Sequence, residues 1–344
     1  MTSGPDEAVR EPAPVARHAS HVDARFAASR ETCRQAVIQV PELHYLGHYT
    51  EGAYDFSYDR LDGISGQPDR TDHERMGVQI TNAVRGLDRM LQEVRTGALI
   101  RVVVHGQQGL VVCNSAQPNE HAVGFSRAPS VLPVEGIVLP RLSGAERVDE
   151  ILSRLVTELR EQVSLGSQNP GSWISAKPGD VVLPPVGTPS VSKRCIEGTA
   201  DERVSRLFLD RVDPVDLQFV AYCRSGQAEF SVDEFDDPQL GSYFQEISVT
   251  ERRLFYRNVC RQFPMIVRKF GRISVAATGG KIERLVLDVE QGALCYYRIR
   301  PGEYLVGITI DQRRVASTDD KIGEIALRCR GNLGRDDLVP PSGG

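Results

Sequence analysis

Several features that usually indicate a function are scarce in this sequence. Its 344 residues include a single tryptophan, no Cys-x-x-Cys pair, and no apolar run of the length needed for a membrane-spanning helix. A formal net charge of −5 gives no electrostatic signature of a DNA- or RNA-binding protein. The first residues, from Met1 to Glu7, lack the basic start and apolar core of a secretion signal. We therefore expect no nucleic acid partner, no membrane span and a cytoplasmic location.

The seven cysteines are spread along the chain instead of forming close pairs. Metal knuckles and redox dithiols need close pairs, because two sulfur atoms must reach one centre. Most of the cysteines stand inside apolar stretches, where a reduced cysteine behaves as a small hydrophobic residue. We predict free thiols at Cys33, Cys113, Cys195, Cys223, Cys260, Cys295 and Cys329.

No catalytic or cofactor-binding motif is present. The sequence has neither the Gly-x-Ser-x-Gly turn of a hydrolase nucleophile nor the glycine-rich loop that binds nucleotide phosphates. All seven histidines lie in the first half, but their spacing does not match a set of metal ligands. We expect solvated or turn histidines, no catalytic residue, no metal and no cofactor; the histidines are His18, His21, His44, His48, His73, His105 and His121.

The second half of the chain repeats the first. Residues 43–59 align without a gap on residues 217–233, and leucine, glycine, phenylalanine, serine and aspartate recur in register. Further on, Gln108-Gly109 and Val123-Gly124 match Gln291-Gly292 and Val306-Gly307 at one constant offset. Two ordered segments with matching turns indicate two copies of one module.

Each copy has the pattern helix, two strands, helix, three strands, helix. Apolar residues recur every three or four positions from Ile80 to Leu91, which predicts a long helix, and Tyr304 to Ile310 alternate as in a strand. Pro264 is expected to bend or end the long helix of the second copy. Short turns between strands favour antiparallel pairing, so the predicted class is α+β: two tandem αββαβββα modules, each with a five-stranded antiparallel sheet.

Composition divides the chain into five segments. The predicted modules span residues 23–165 and 199–331, and a linker rich in proline, glycine and serine joins them at 166–198. Residues 1–22 and 332–344 lack a sustained apolar pattern and are expected to form a disordered arm and tail.

The order of elements resembles the roadblock (dynein light chain) family. The resemblance rests on residues 281–287 after a long helix, the turn at Glu290-Gln291-Gly292, residues 293–297, the turn at Arg300-Pro301-Gly302, and residues 303–308. It implies a longin- and profilin-like fold that dimerises by joining edge strands and pairing the long helices. Since both modules are on one chain, we expect an intramolecular pseudo-dimer or a homo-oligomer, with Ile100, Val102 and Val104 beside Leu285, Leu287 and Val289. The alternative is two separate modules, each covering its own edge.

The resemblance further implies a non-enzymatic regulatory or scaffold protein that binds a protein partner, a small Ras-like GTPase or a signalling complex that contains one. The expected docking surface is the pair of long helices. The residues off their apolar stripes that we assign to it are Arg85, Asp88, Arg89, Arg257, Arg261 and Arg268.

Three other functions stay open from the sequence. A secretion-chaperone-like protein would bind unfolded segments along a groove or a sheet edge. An enzyme would need a site in the cleft between the modules, and a small-molecule sensor would need an apolar cavity.

Overall fold

One antiparallel sheet with helices on both faces forms the core of the protein, which confirms the predicted α+β class. The computed structural model describes residues 13–62, 64, 69–127, 145–173 and 194–336. Among the helices of those ranges, none combines the length and apolar character that crossing a bilayer demands.

The sheet has twelve strands. Their bounds are β1 (Val15–His18), β2 (Tyr45–Thr50), β3 (Ala53–Asp59), β4 (Leu99–Gly106), β5 (Leu110–Gln117), β6 (Glu120–Ser126), β7 (Cys195–Gly198), β8 (Phe219–Arg224), β9 (Gln227–Asp233), β10 (Ile282–Val289), β11 (Gly292–Arg300) and β12 (Glu303–Thr309). The spatial order is β1-β3-β2-β6-β5-β4-β10-β11-β12-β8-β9-β7. The strand order of the first half therefore recurs in reverse in the second half.

The first hairpin of each half has the same turn. Glu51 and Gly52 join β2 to β3 with φ values of 54° and 80°, and Ser225 and Gly226 join β8 to β9 with 51° and 81°. Positive φ at both central residues is the geometry that fits the twist of a two-residue hairpin. The aligned residues thus adopt equivalent turns.

Strands β4 and β10 meet at the middle of the sheet. Val104 lies opposite Leu285, Val102 opposite Leu287, and Leu99 opposite Val289, with a register shift beside Ile100. All of these apolar residues are buried. The backbone groups along each of these two strand edges are therefore paired by the other half of the chain.

The helices form two layers. Their bounds are α1 (Ala27–Gln39), α2 (Arg70–Leu91), α3 (Ala145–Gln162), α4 (Glu202–Leu209), α5 (Val249–Thr278) and α6 (Val315–Asp336). The apolar residues of α2 and α5 pack together on one face of the sheet, and those of α1, α3, α4 and α6 pack on the other.

Glycines let α3 and α6 approach the sheet closely. A Cβ on Gly124 of β6 would lie 2.4 Å from Leu152 Cδ1 of α3, and a Cβ on Gly307 of β12 would lie 2.1 Å from Ile322 Cγ1 of α6. The two glycines occupy matching positions in the repeat, so both halves need a residue without a side chain where the last helix crosses.

Helix α5 is continuous through Pro264, so the prediction that this proline could end the helix is wrong. Its start is stabilised by a capping box, in which Ser248 and Glu251 satisfy each other's backbone amides. It ends at Gly279, whose φ of 74° is the left-handed conformation that glycine adopts without strain. Favourable ends and a packed face offset the hydrogen bond that Pro264 cannot make.

The predicted arm, linker and tail need correction where the structure describes them. Val15–His18 form β1 against β3, Cys195–Gly198 form β7 against β9, and α6 continues to Asp336. Both edge strands are four residues long and largely exposed, so they carry no apolar alternation in the sequence. They are stabilised by backbone pairing with β3 and β9. The remainder of these segments, 1–12, 174–193 and 337–344, lies outside the described residues.

The first part of the predicted linker packs over the middle of the sheet. Ser153 of α3 donates a hydrogen bond to the carbonyl of Pro170 at 2.6 Å, and the amide of Gly171 donates to Asp288 of β10 at 2.7 Å. Ser172 bonds to the carbonyl of Gln312. Residues 166–173 thus connect α3, β10 and the segment before α6.

Candidate docking face on the long helices

Helices α2 and α5 run antiparallel to each other across one face of the sheet. Near the start of α2, Met76 and Gln79 line a small cavity together with Ile273 and Ala276 of α5. Further along, the amino group of Lys269 lies 3.8 Å from the point where a Cβ on Gly86 would be. The exposed sides of the two helices therefore form one surface, which we call the docking face.

Helix α5 is strongly cationic although the whole chain is acidic. Between Val249 and Thr278 it has seven basic residues and one acidic residue, Glu251, whereas the chain has a net charge of −5. A cationic helix on an acidic protein raises the local concentration of an acidic partner and orients it.

Three of the arginines on α5 are already engaged within the protein. Arg252 is buried, with its guanidinium 5.2 Å from the centre of the Phe244 ring. Arg253 pairs with Asp233 at 2.7 Å, and Arg257 pairs with Glu197 of β7. These side chains stabilise the second half of the fold and are not free to contact a partner.

The other four basic residues of α5 are exposed and make no ion pair within the described residues. Seen down the helix, most of them share one side, because they recur at intervals of three, four and seven. Arg89 of α2 is also exposed and has no ion pair in the described part of the chain. The free cations of the docking face are Arg89, Arg261, Arg268, Lys269 and Arg272.

Large apolar side chains stand among these cations. Met265 is 68% exposed, Leu254 is 58% exposed and Val275 is 51% exposed. Methionine is flexible and polarisable, so its side chain can adapt its shape to a partner. The docking face therefore offers three exposed apolar side chains, spaced along α5 among positive charges.

The residues assigned to docking from the sequence have different positions in the structure. Arg85 is bound to Glu51 at the β2–β3 turn, with a hydrogen bond of 3.0 Å to its carbonyl oxygen. Asp88 accepts the backbone amide of Leu99 at 2.7 Å. Arg257 pairs with Glu197. Arg89, Arg261 and Arg268 lie on the docking face, and the six apolar residues assigned to the module interface are buried at or beside the β4–β10 pairing; they are Ile100, Val102, Val104, Leu285, Leu287 and Val289.

Sequence reasoning missed three members of the docking face. Met265 and Lys269 lie within the helix that was predicted from Thr250 to about Phe270 but were not assigned to its docking surface, and Arg272 lies beyond the predicted end. The signal that could have found them is the near absence of acidic residues over thirty positions of α5.

The expectation of solvated histidines is wrong at four positions. His48, His73, His105 and His121 are buried. Burial lowers the pKa of His105 and of His121 to about 4, so both are neutral at physiological pH. In the part of the chain that the structure describes, no group of three or more His, Cys, Asp or Glu side chains converges as metal ligands do.

The cysteines lie as predicted. All seven are free thiols, and six are buried. Burial raises the pKa of Cys329 to about 12, which keeps it protonated and unreactive.

The cavity between the ends of α2 and α5 is small. Its volume is about 210 Å³, below the roughly 300 Å³ at which ligand sites for small molecules usually begin. Its lining mixes charged and apolar residues: Asp72, His73, Arg75, Met76, Gln79, Ile273 and Ala276. This geometry favours the helix surface over the cavity as the candidate site.

Comparison with protein-family models gives no match to this chain, and comparison with curated proteins gives none either.

Proposed function

We propose that the protein is a non-enzymatic scaffold or regulator that binds a folded protein partner through its docking face. The partner would present an acidic rim around an apolar contact, complementary to the cations and to Met265. The observation that carries this proposal is the set of cations on α5 that are exposed and not neutralised by the rest of the described chain. Outside α5, most arginines of the described residues form an ion pair with a carboxylate.

The arrangement of the sheet supports the same proposal. We interpret the β4–β10 pairing as an intramolecular pseudo-dimer of two roadblock-like modules, because the strand order recurs in reverse across it and the long helices pair over it. Fusing both modules in one chain keeps the helix pair in place independently of protein concentration. A small Ras-like GTPase, or a complex containing one, is the partner we propose for this surface.

Charge reversal on α5 tests the proposal. The Arg261→Glu/Arg268→Glu double variant changes two exposed side chains that make no described ion pair, so the fold should persist. The matched control is Arg328→Glu, an exposed residue of α6 on the opposite layer. Affinity purification from the native cell, with GDP or a non-hydrolysable GTP analogue added, should recover a small GTPase with wild-type protein and the control. The double variant should lose it by at least about tenfold.

Two outcomes would contradict the proposal. One is recovery of the same partners by the double variant and the wild type. The other is selective recovery of unfolded segments, which would favour a chaperone-like role at a sheet edge.

A further inference from the structure

A buried histidine lies between two carboxylates at the outer corner of the first half. His48 of β2 is 1% exposed. Its Nδ1 lies 2.8 Å from Asp55 Oδ2 of β3, and its Nε2 lies 2.9 Å from Glu120 Oε1 of β6. A carboxylate can only accept, so both ring nitrogens must donate, and this geometry is complete only when the ring is the imidazolium.

The same carboxylate of Asp55 holds the segment before α1. His21 Nε2 lies 2.8 Å from Asp55 Oδ1, and the amide of Ala19 donates to the carbonyl oxygen of Asp55 at 2.7 Å. Phe26 covers the cluster, with its ring edge-on to His48 at 6.2 Å between centroids. Residues 15–26, which include β1, therefore cover the histidine.

The second half carries a version of this corner whose positive charge is permanent. Its matching residues are Tyr222 for His48, Arg224 for Thr50, Glu229 for Asp55 and Glu303 for Glu120. The hydroxyl of Tyr222 donates to Glu303 at 2.9 Å, and Arg224 lies 3.4 Å from Glu303 and 3.6 Å from Glu229. Arginine stays charged at all physiological pH values, whereas histidine does not.

From this comparison we propose that residues 15–26 form a pH-sensitive latch, closed while His48 is protonated and released when it loses its proton. Deprotonation leaves one ring nitrogen with a lone pair facing a carboxylate. It also leaves Asp55 and Glu120 without a cation between them. The cluster then favours an arrangement in which the carboxylates reach water, and that requires the covering segment to move.

The groups around His48 set the direction of the response. They are Asp55, Glu120 and His21, with the buried Cys33 of α1 in the electrostatic field of Glu120, and His121 next to Glu120 on β6. Burial alone would lower the pKa of His48, but its hydrogen bonds to Asp55 and Glu120 outweigh burial, so the pKa is raised above 6.5. The pKa of His48 is therefore higher in the closed state than in the open state. The closed state is fully stabilised at pH values below the open-state pKa, and this stabilisation is lost as the pH rises through the closed-state pKa.

The latch also touches the long helices. Arg17 of β1 pairs with Glu74 of α2 at 3.2 Å, so release of β1 would expose a carboxylate on α2. This consequence for docking rests on the proposed function, whereas the latch itself does not.

Hydrogen exchange on the full chain tests the latch directly. Exchange of residues 15–22 is compared at pH 6 and pH 8.5, with labelling times scaled for the intrinsic rate. The equilibrium constant for opening should rise with pH. The total increase should be a factor of 10 to the power of the difference between the pKa of His48 in the closed state and its pKa in the open state. Strand β7, the matching edge of the second half, is the internal control and should show no such change.

A double variant that copies the second half provides the complementary test. In His48→Tyr/Thr50→Arg, protection of residues 15–22 should be equal at both pH values. A retained pH response in this variant, or equal pH responses of β1 and β7 in the wild type, would overturn the latch. If the variant does not fold, the ¹⁵N shifts of His48 in the wild type decide: two protonated ring nitrogens at pH 6.5 support the proposal, and a neutral ring at that pH overturns it.

Discussion

Arg101 of β4 and Asp288 of β10 join the two halves of the chain through a buried ion pair. The guanidinium Nε donates to Asp288 Oδ2 at 2.9 Å, and Nη2 donates to the other carboxylate oxygen at 3.2 Å. Arg101 also pairs with Asp149 of α3, as its counterpart Arg284 pairs with Asp319 of α6. In each half, an ion pair thus connects the last helix to the strand at the middle of the sheet, and Asp288 connects the two halves.

Removing Asp288 should destabilise the whole protein. Asp288→Ala leaves the Arg101 charge only partly compensated in the interior and frees the amide of Gly171, so we expect a loss of about 3 to 5 kcal/mol in the free energy of unfolding. Urea unfolding followed by circular dichroism measures it. Asp62→Ala, at an exposed carboxylate paired with Arg70, is the control and should change stability far less, because solvent screens this ion pair. If Asp288→Ala lowers the free energy of unfolding no more than Asp62→Ala does, the buried ion pair is not needed for stability.

The paired glycines should be equally intolerant of a side chain. Gly124→Ala and Gly307→Ala each place a Cβ within 2.4 Å of a helix side chain, and overpacking of this kind costs about 1 to 3 kcal/mol. Gly166→Ala is the matched control, because its Cβ would meet nothing within 4 Å. Thermal unfolding of the three variants checks the prediction, which fails if Gly124→Ala is as stable as the control.

Much of the fold was predictable because its signals are local. The repeat carried Gly124 and Gly307 in register, and the alternating strands and the amphipathic α2 follow from side-chain periodicity. Strands β1 and β7 were missed because backbone pairing to β3 and β9 defines them, and four largely exposed residues leave no pattern in the sequence. Residues 166–173 were assigned to a linker for the same reason: their contacts are with residues distant in sequence.

Acid should destabilise the protein through His105. Its pKa is lowered from 6.5 to about 4 by burial and by the neighbouring Arg284, so the unfolded chain binds a proton more readily between these pH values. Stability should therefore fall as pH decreases from 6.5 to 4, by about 3 kcal/mol for this residue. In His105→Gln, the decrease should be smaller by that amount. Parallel pH profiles for variant and wild type, from urea unfolding, would contradict the assignment.

Asp88 and Arg89 should separate stability from binding, although they are adjacent on α2. Asp88→Ala leaves the amide of Leu99 without its acceptor and should cost about 1 to 3 kcal/mol while partner binding persists. Asp88→Asn keeps an acceptor and is the control. Arg89→Glu should instead preserve stability and weaken binding. Urea unfolding and partner capture, measured on the same samples, check both predictions. Loss of binding without loss of stability in Asp88→Ala, or the opposite in Arg89→Glu, would contradict them.

The candidate site was less predictable than the fold. Sequence periodicity placed Arg85, Arg257 and Arg261 alike on helix surfaces, but only Arg261 is free of an ion pair in the described structure. The partners of the other two, Glu51 and Glu197, come from a hairpin turn and from β7. Which surface charges remain available depends on such distant neighbours, and a single sequence does not encode them locally.

A disulfide across β4 and β10 would show whether the two halves of the chain pair into one sheet in solution. Val104 and Leu285 lie opposite each other in register, and neither is opposite a native cysteine on its other side. Opposed residues of antiparallel strands are close enough for a disulfide. Val104→Cys/Leu285→Cys, oxidised as a dilute monomer and mapped by mass spectrometry, should give an intramolecular 104–285 link. The control Val104→Cys/Val306→Cys, two strands further apart, should not form one. Absence of the 104–285 link, or its formation only between chains, would mean that β4 and β10 of one chain do not pair.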